Sequence, residues 1–245
     1  MKILFISLGC DKNLADSEEM LGLLTGSGHE IVDSEEEAEA IVINTCCFIH
    51  DAKEESVNTI LEMAEYKKTG KCKALVVTGC MAQRYKEEIT QEIPEVDAVL
   101  GTTAYGDIVK ALNEVQAGHV FQEFRDINEL PEDSGRRVLT TGGHFGYLKI
   151  AEGCDKHCTY CIIPSLRGSF RSVPEERLLA QAEYMASQGV KELILVAQET
   201  TVYGTDLYGR KTLHILLKKL CQIRGIRWIR VLYCYPEEIY DELIQ

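Results

Sequence analysis

The chain has 245 residues, of which 45% are hydrophobic, and it carries 39 acidic against 26 basic side chains for a formal net charge of −13. This composition is typical of globular proteins and excludes disorder or a fibrous architecture. The acidity argues against binding to DNA or RNA, because phosphate contacts need a basic surface. Apolar runs are strand-sized and no signal peptide is evident, so we expect a cytoplasmic protein that does not contact a membrane.

Residues 1–118 are predicted to alternate between strands and helices. Strands are expected at residues 2–8, 40–44, 74–78 and 98–100, and each is followed by a segment with helical spacing of apolar residues. Strands separated in this way indicate βαβ units and a parallel sheet covered on both faces. The fold class is therefore α/β, with an N-terminal doubly wound parallel sheet.

Residues 119–143 are polar and turn-rich, which is typical of a linker between domains. A second βα series is predicted over residues 144–245, with strands at 147–150, 193–197 and 228–233. Ser172 and Glu175 have the spacing of a capping box, so a helix is expected to start there. Three βα units do not close a barrel, and we expect the second domain to continue beyond residue 245.

The chain has ten cysteines, which is its most unusual feature. Reduced cytosolic thiols point to metal ligation or catalysis instead of disulfides. Three of them, Cys154, Cys158 and Cys161, lie within eight residues on a loop that follows a predicted strand. Such a loop can turn three thiolates toward one iron–sulfur cluster and leave one iron without a protein ligand. A zinc knuckle or a redox pair remains an alternative.

A second set of cysteines is separated in sequence but related by the predicted fold. Cys10, Cys46 and Cys80 each follow one of the first three strands. The carboxyl ends of parallel strands share one edge of a sheet, where such folds place their ligand sites. We therefore predict a second three-cysteine cluster there. The alternative is that these cysteines are small buried apolar residues.

The other cysteines, Cys47, Cys72, Cys221 and Cys234, have no partner at ligand spacing and are interpreted as structural, although Cys47 could compete with Cys46. The histidines are scattered and show no ligand spacing.

The CxxxCxxC segment, with Tyr160 before its last cysteine, resembles the motif of radical S-adenosylmethionine (AdoMet) enzymes. Together with segments 7–13, 43–46, 78–84 and 162–168, it makes the whole chain similar to the radical AdoMet methylthiotransferases. Within that family the chain looks most like the branch that methylthiolates the β-carbon of an aspartate in small-subunit ribosomal protein S-twelve. The related branch that modifies an adenosine of transfer RNA is the first alternative.

The resemblance implies two 4Fe–4S clusters and AdoMet as cofactors. Cys154, Cys158 and Cys161 would hold the cluster that binds AdoMet, and Cys10, Cys46 and Cys80 would hold an auxiliary cluster associated with sulfur supply. It also implies that Tyr160 packs near the adenine and that Gln198 and Glu199 contribute to cofactor binding. The alternative for Gln198 and Glu199 is a polar pair that makes hydrogen bonds within its loop.

The same resemblance implies a partial βα barrel in the second domain, whose remainder, with a small β-barrel domain of RNA-binding type, would follow residue 245. The implied partners are ribosomal protein S-twelve and an electron donor such as flavodoxin or ferredoxin. Arg167 and Arg171 are expected to be solvated or to face acidic groups of AdoMet or substrate.

Two other classes of protein remain open. A cobalamin-dependent radical methylase also joins a doubly wound domain to CxxxCxxC, but it has no use for three strand-end cysteines. A non-catalytic iron–sulfur carrier or zinc-stabilised scaffold would need only the metal sites.

Overall fold

The structure, a computed structural model, describes residues 1–132, 135 and 137–245. Three positions of the predicted linker, Asp133, Ser134 and Arg136, lie outside the described residues. The chain divides into two compact units, Met1–Val138 and Leu139–Gln245. Among the described residues, no helix has both the length and the apolar character needed to cross a membrane.

Six parallel strands in the order β2-β1-β3-β4-β5-β6 form the sheet of the first unit. Their bounds are β1 (Lys2–Ser7), β2 (Glu30–Val32), β3 (Ala40–Thr45), β4 (Ala74–Gly79), β5 (Ala98–Leu100) and β6 (Phe121–Glu123). The direction of strand addition reverses between β1 and β3. Such a reversal opens a crevice at the carboxyl ends of the two strands.

Helices cover both faces of this sheet. They are α1 (Asp11–Gly26), α2 (His50–Thr69), α3 (Cys80–Glu92) and α4 (Ile108–Gln116). On one face Val42 and Val76 pack with Met20 of α1 and Leu112 of α4 in a fully buried cluster. Alternate strand residues such as Ile43 are equally buried and point to the opposite face, where α2 and α3 contact β3 and β4. The predicted doubly wound parallel sheet is therefore confirmed.

Two edge strands were not predicted from the sequence. β6 lies within the segment assigned to the linker, yet it pairs with β5 and Phe121 N–H donates to the Asp97 carbonyl at 2.9 Å. β2 pairs in parallel with β1. Both strands have three residues and are only partly buried, so they lack the length and the apolar pattern that sequence analysis detects. The first unit extends accordingly to Val138.

The second unit contains a parallel three-stranded sheet in the order β11-β10-β7 and a two-stranded antiparallel ladder of β8 and β9. The strands are β7 (Phe145–Lys149), β8 (Ala151–Glu152), β9 (Arg171–Ser172), β10 (Glu192–Val196) and β11 (Trp228–Val231). The helices are α5 (Ile163–Arg167), α6 (Glu175–Ser187), α7 (Thr205–Tyr208), α8 (Leu213–Leu220) and α9 (Asp241–Ile244). Leu148 and Leu195 of the sheet are fully buried, as are Met185 and Leu216 of α6 and α8. This strand–helix alternation agrees with the predicted start of a βα barrel.

The predicted capping box is wrong. Helix α6 begins at Glu175 after Pro174, and Ser172 belongs to β9. The Ser172 hydroxyl donates instead to Asp206 Oδ1 at 2.6 Å, and the Ser172 N–H donates to Oδ2 of the same carboxylate at 2.8 Å. The Ser172 side chain thus binds Asp206, which is distant in sequence, and does not cap α6 as its local spacing predicted.

Candidate cysteine metal centres

The first cysteine set lies at the carboxyl edge of three neighbouring strands. Cys10 immediately precedes α1, Cys46 follows β3 directly, and Cys80 is the first residue of α3 after β4. The register pairs Ser7 with Asn44 and Asn44 with Thr78, so the three strands end at the same level. The set therefore flanks the crevice at the β1–β3 reversal, where doubly wound folds bind ligands.

Glycines allow close approach of these strand ends. Gly9 and Gly79 have φ values of +97° and +92°, a region that favours glycine. A Cβ on Gly9 would lie 2.8 Å from Cys46 Cβ and 3.2 Å from its Sγ. A Cβ on Gly79 would overlap Asn44 Oδ1 and approach the Thr45 carbonyl oxygen to 2.5 Å. The loops that carry Cys10 and Cys80 thus pack directly against the end of β3.

Burial separates the members of this set. Cys46 and Cys80 are 6% and 7% exposed, whereas Cys10 is exposed. Cys47 also lies among these groups, since burial and the nearby Cys80 and Cys46 thiols raise its pKa to about 11 while Arg84 opposes the rise. The structure therefore brings together Cys46, Cys47 and Cys80. Sequence analysis had interpreted Cys47 as structural or as a competitor of Cys46, and this placement keeps the second interpretation open.

The second set lies on one loop whose ends are held together. β8 and β9 pair Glu152 with Arg171 across the base of the loop. Within it, Cys154 N–H donates to the Gly168 carbonyl at 3.1 Å, and Phe170 N–H donates to Asp155 Oδ1 at 3.0 Å. These bonds join both strands of the loop on either side of the CxxxCxxC segment.

A buried ionic group also closes this loop. Glu152 accepts a contact of 2.5 Å from Lys149 Nζ and one of 3.3 Å from Arg167 Nη1, and all three side chains are less than 10% exposed. Burial alone would raise the pKa of Glu152, but the charges of Lys149 and Arg167 outweigh it and lower the pKa to about 2. The expectation that Arg167 is a solvated charge is thus wrong, since its side chain is 4% exposed and lies 3.3 Å from this carboxylate, whereas contact with an acidic group of AdoMet or substrate stays a prediction. Arg171 donates to the Arg167 carbonyl at 3.0 Å and supports the same turn.

The three cysteines of the loop are electrostatic neighbours. Burial raises the pKa of the Cys154 thiol, and Cys161, Glu199 and Cys158 add to the rise against a hydrogen bond from the Lys156 N–H. Glu199, which follows β10, is thus one of the charges that act on Cys154.

The other predicted cofactor residues behave differently from one another. Tyr160 is 88% exposed. Gln198 Oε1 is buried and has no hydrogen-bond partner among the described residues. Glu199 Oε1 accepts the N–H groups of Thr201 at 3.0 Å and Tyr235 at 3.4 Å. Glu199 therefore makes the loop hydrogen bonds of the alternative interpretation, whereas Gln198 retains an oxygen suited to a ligand.

Within the described residues, no group of three or more His, Cys, Asp or Glu side chains is arranged to hold a metal ion. All ten cysteines are free thiols. The donor chemistry nevertheless fits an iron–sulfur cluster in both places, because thiolates are its usual ligands and each set approaches from a single edge or loop. Both ligand sets remain predictions.

Three cysteines, Cys72, Cys221 and Cys234, belong to neither set. Cys72 is buried and its thiol donates to the Ala74 carbonyl at 3.4 Å, which fits a structural role. Cys221 is exposed directly after α8. Cys234 is exposed, with its sulfur 3.5 Å from Thr200 Oγ1.

Sequence analysis missed Lys149 and Glu152 as residues that support the loop. Both lie beside the apolar residues Leu148, Ile150 and Ala151, which are fully buried. Charged residues are almost never fully buried unless they are paired. The presence of Lys149 and Glu152 within an apolar segment could therefore have indicated a buried ion pair.

Two family descriptions match the chain. Residues 2–101 match the "Uncharacterized protein family UPF0004", and residues 148–245 match the "Radical SAM superfamily".

Curated relatives match the chain from end to end. A protein of Lachnoclostridium phytofermentans named "Ribosomal protein uS12 methylthiotransferase RimO" is 66% identical over 244 residues, which are 100% of this chain and 56% of that relative. A protein of Clostridium botulinum (strain Eklund 17B / Type B) with the same name is 52% identical over all of this chain and 55% of its own length. The chain thus spans about half the length of the curated relatives it matches. The predicted resemblance to methylthiotransferases is confirmed.

Solved structures share the fold. The radical S-adenosylmethionine methyltransferase TsrM from Kitasatospora setae, with cobalamin and a [4Fe-4S] cluster bound, aligns with a TM-score of 0.62 over 99% of this chain and 56% of its own, at 12% identity. The cobalamin-dependent S-adenosylmethionine radical enzyme OxsB aligns with a TM-score of 0.53 over 99% of this chain and 41% of its own, at 13% identity. At these identities the likeness concerns the fold alone, and it confirms the predicted arrangement of a doubly wound sheet followed by a radical AdoMet-type unit.

Proposed function

We propose that this chain, which resembles the radical AdoMet methylthiotransferases along its whole length, takes part in transfer of a methylthio group to the β-carbon of an aspartate in ribosomal protein uS12. The observation that carries the proposal is the 66% identity over 244 residues to a protein named for that reaction. Two separate cysteine sets, one in each unit, support it.

The reaction explains why such a chain would need radical chemistry. A β-hydrogen beside a carboxylate is barely acidic, so a general base does not remove it at neutral pH. The cofactor supplies the difficult step, and the protein supplies binding and orientation. When bound, the cluster of the second unit would supply the electron that cleaves one AdoMet to a 5′-deoxyadenosyl radical, the auxiliary cluster would be associated with supply of the sulfur, and a second AdoMet would supply the methyl group.

In the proposed assignment, Cys154, Cys158 and Cys161 hold the first cluster. Their loop is tied at its base by the Glu152 ionic group, which limits the freedom of the three thiols. Gln198 Oε1 would accept a hydrogen bond from AdoMet, since this buried oxygen has no partner among the described residues. Glu199 would shape the turn that presents Gln198.

Tyr160 would stack on the adenine of AdoMet. Its ring is 88% exposed, so the face of the ring is accessible to a ligand. Aromatic faces gain about 0.5–1.5 kcal/mol from such pairing beyond the area that they bury.

Cys10, Cys46 and Cys80 would hold the auxiliary cluster. Cys10 occupies the N-cap position of α1, and Cys80 is the first residue of α3, which is kinked at Lys86. An external electron donor such as flavodoxin or ferredoxin would complete the system.

The test starts with iron. The chain is purified and reconstituted without oxygen, and its iron and acid-labile sulfide are measured. Two cubes correspond to about eight irons per chain and one cube to about four. We expect about eight, whereas four or fewer would overturn the assignment of two clusters.

Activity then distinguishes the substrates. The reconstituted chain is incubated with AdoMet, dithionite and either a uS12 peptide that contains the target aspartate or a transfer-RNA stem-loop. We expect 5′-deoxyadenosine and a methylthiolated peptide by mass spectrometry. Methylthiolation of the RNA alone would favour the transfer-RNA branch, and a corrinoid absorption spectrum in the purified protein would favour a cobalamin-dependent methylase.

A further inference from the structure

The side chain of Asn13 contacts all three loops that carry the first cysteine set. It lies in the first turn of α1 and is fully buried. Its Nδ2 donates to the Leu8 carbonyl at 3.1 Å and to the Thr45 carbonyl at 3.0 Å. Cys80 Sγ donates to its Oδ1 at 3.8 Å. One amide thus joins the chain just before Cys10, the chain just before Cys46, and the thiol of Cys80.

A buried polar network fixes Asn13 itself. Its backbone carbonyl accepts a hydrogen bond of 2.9 Å from Asn44 Nδ2 and another of 2.9 Å from Ser17 Oγ. Asn44 Nδ2 also donates to Ser17 Oγ at 2.9 Å, and Ser17 Oγ lies 2.7 Å from Ser7 Oγ. The network ties α1 to the ends of β1 and β3. Because buried networks of this kind are rigid when their groups are satisfied, Asn13 has little freedom to adjust.

A carboxamide is the side chain that this position requires. It offers two N–H donors and one acceptor oxygen in a single planar group. A carboxylate of the same shape would direct an oxygen at the two carbonyl oxygens, and an apolar side chain would remove one hydrogen bond from each carbonyl.

We infer that Asn13 is the positioning residue of the Cys10, Cys46 and Cys80 site, because its amide holds the ends of β1 and β3 at a fixed spacing and, in the metal-free protein, accepts a hydrogen bond from the Cys80 thiol. This inference rests on the proposed function, which assigns an auxiliary cluster to the three cysteines. Asn13 does not ligate iron. It acts through the backbone at Leu8 and Thr45 and thereby sets the spacing of the loops that carry Cys10 and Cys46.

The experiment isolates this site. A parent variant carries Cys154→Ala, Cys158→Ala and Cys161→Ala, so that only the first cysteine set can bind a cluster. Asn13→Asp and Asn13→Ala are compared with it. The control is Tyr105→Phe, which removes a different buried hydrogen bond of 2.9 Å from the same unit, between Tyr105 OH and Glu19 Oε2.

Iron and sulfide content after anaerobic reconstitution is the first readout. The parent and Tyr105→Phe should each hold about four irons per chain. Both Asn13 variants should bind iron at least about tenfold more weakly, because two hydrogen bonds that set the loop spacing are lost. Asn13→Ala covers the case in which Asn13→Asp does not fold, since alanine favours the helix and buries no charge.

A second readout needs no metal. Cys46 and Cys80 are buried, so iodoacetamide should alkylate them slowly in the metal-free parent. The Asn13 variants should raise that rate about tenfold as the loops separate, whereas exposed Cys221 should react equally in all proteins. Circular dichroism and the unfolding midpoint confirm that each variant is folded, and Tyr105→Phe shows what general destabilisation alone does.

The outcomes separate the two proposals. Absence of iron from the parent would overturn the proposed function and this inference with it. Full iron in the parent together with full iron and unchanged alkylation in Asn13→Asp or Asn13→Ala would overturn the inference alone.

Discussion

The two cysteine sets are built in opposite ways. Cys154, Cys158 and Cys161 share one loop, and that loop is closed by a two-residue ladder and a buried ionic group. In the first unit, Cys10, Cys46 and Cys80 are separated by more than 30 residues and lie at one edge of the sheet only because β1, β3 and β4 are neighbours. The second unit therefore holds its candidate ligands by local chain geometry, and the first unit holds them by its fold.

This difference has a consequence for stability. A locally closed loop depends on a few strong contacts at its base, so one substitution there should loosen it. A site formed by strand ends depends on the whole sheet, and it should respond mainly to changes at the points where the strand ends touch.

The largest expected effect separates the roles of the two sets. Cys158→Ala should abolish AdoMet cleavage, because the cluster of the second unit loses a ligand, whereas Cys10→Ala should retain cleavage but stop sulfur insertion. Formation of 5′-deoxyadenosine and methylthiolation of a uS12 peptide, both measured by mass spectrometry, check this prediction. Cys221→Ala is the control, since Cys221 is exposed after α8 and belongs to neither set. Methylthiolation by the Cys10 variant would show that the proposed division of roles is wrong.

The next effect tests the base of the local loop. Glu152→Gln leaves Lys149 and Arg167 buried without the carboxylate between them, so the second unit should lose about 3–5 kcal/mol of stability. Glu192→Gln breaks an exposed pair with Arg230, in which the arginine is 54% exposed, and should cost about 1 kcal/mol or less.

Hydrogen exchange of peptides from each unit measures both variants. Glu152→Gln should speed exchange in residues 144–172 and leave the strands of the first unit unchanged. Equal protection in the two variants would contradict the role of the ionic group.

A smaller effect tests contact between strand ends. Gly79→Ala places a Cβ against Asn44 Oδ1 and the Thr45 backbone at a positive φ, whereas Gly118→Ala has a similar φ of +86° but nothing within 4 Å. Both variants incur backbone strain of about 1–3 kcal/mol, and only Gly79→Ala adds a collision. Urea unfolding should show Gly79→Ala to be the less stable of the two. It should also reduce iron in the first unit, and unchanged iron would count against close packing of the loops as a requirement of that site.

The smallest expected effect is a change in the stability of the first unit when His29 titrates. Burial, with the N-terminal amino group, lowers the pKa of His29 below its usual value near 6.5. The folded state therefore favours neutral His29. Its contribution to the free energy of unfolding is fully present above the pKa of His29 in the unfolded chain. This contribution is lost as the pH falls from that value through the lower pKa of His29 in the folded protein. Urea unfolding at about pH 7.5 and about pH 5.5 should show a small loss at the lower pH that His29→Asn removes. A loss of the same size in His29→Asn would assign it to other groups.

Sequence patterns predicted most of this fold because its central strands are long and apolar. The strands at residues 40–44, 74–78 and 98–100 occur within one residue of their predicted bounds. Periodicity identified them because fully buried parallel strands are continuous apolar runs. The edge strands β2 and β6 were missed because three partly buried residues carry no such signal.

The candidate sites were likewise predictable in part: the cysteine sets could be found from the sequence, but the contacts that support them could not. The CxxxCxxC set is visible in the sequence because its members are close in the chain, and the strand-end set could be proposed because parallel topology brings strand ends together. The contacts that support both sets were not predicted. Asn13 bonds to residues up to 67 positions away, and Arg167 pairs with Glu152 across the loop instead of facing solvent.

The sequence by itself determined three features of this protein, namely its candidate thiol ligands, its alternating strands and helices and its resemblance to methylthiotransferases. These follow from residue identity and local spacing, which the chain carries without folding. Only the tertiary structure decided which polar groups hold the ligands in place. Hydrogen bonds and ion pairs among buried groups depend on which distant residues become neighbours, and local spacing does not encode that.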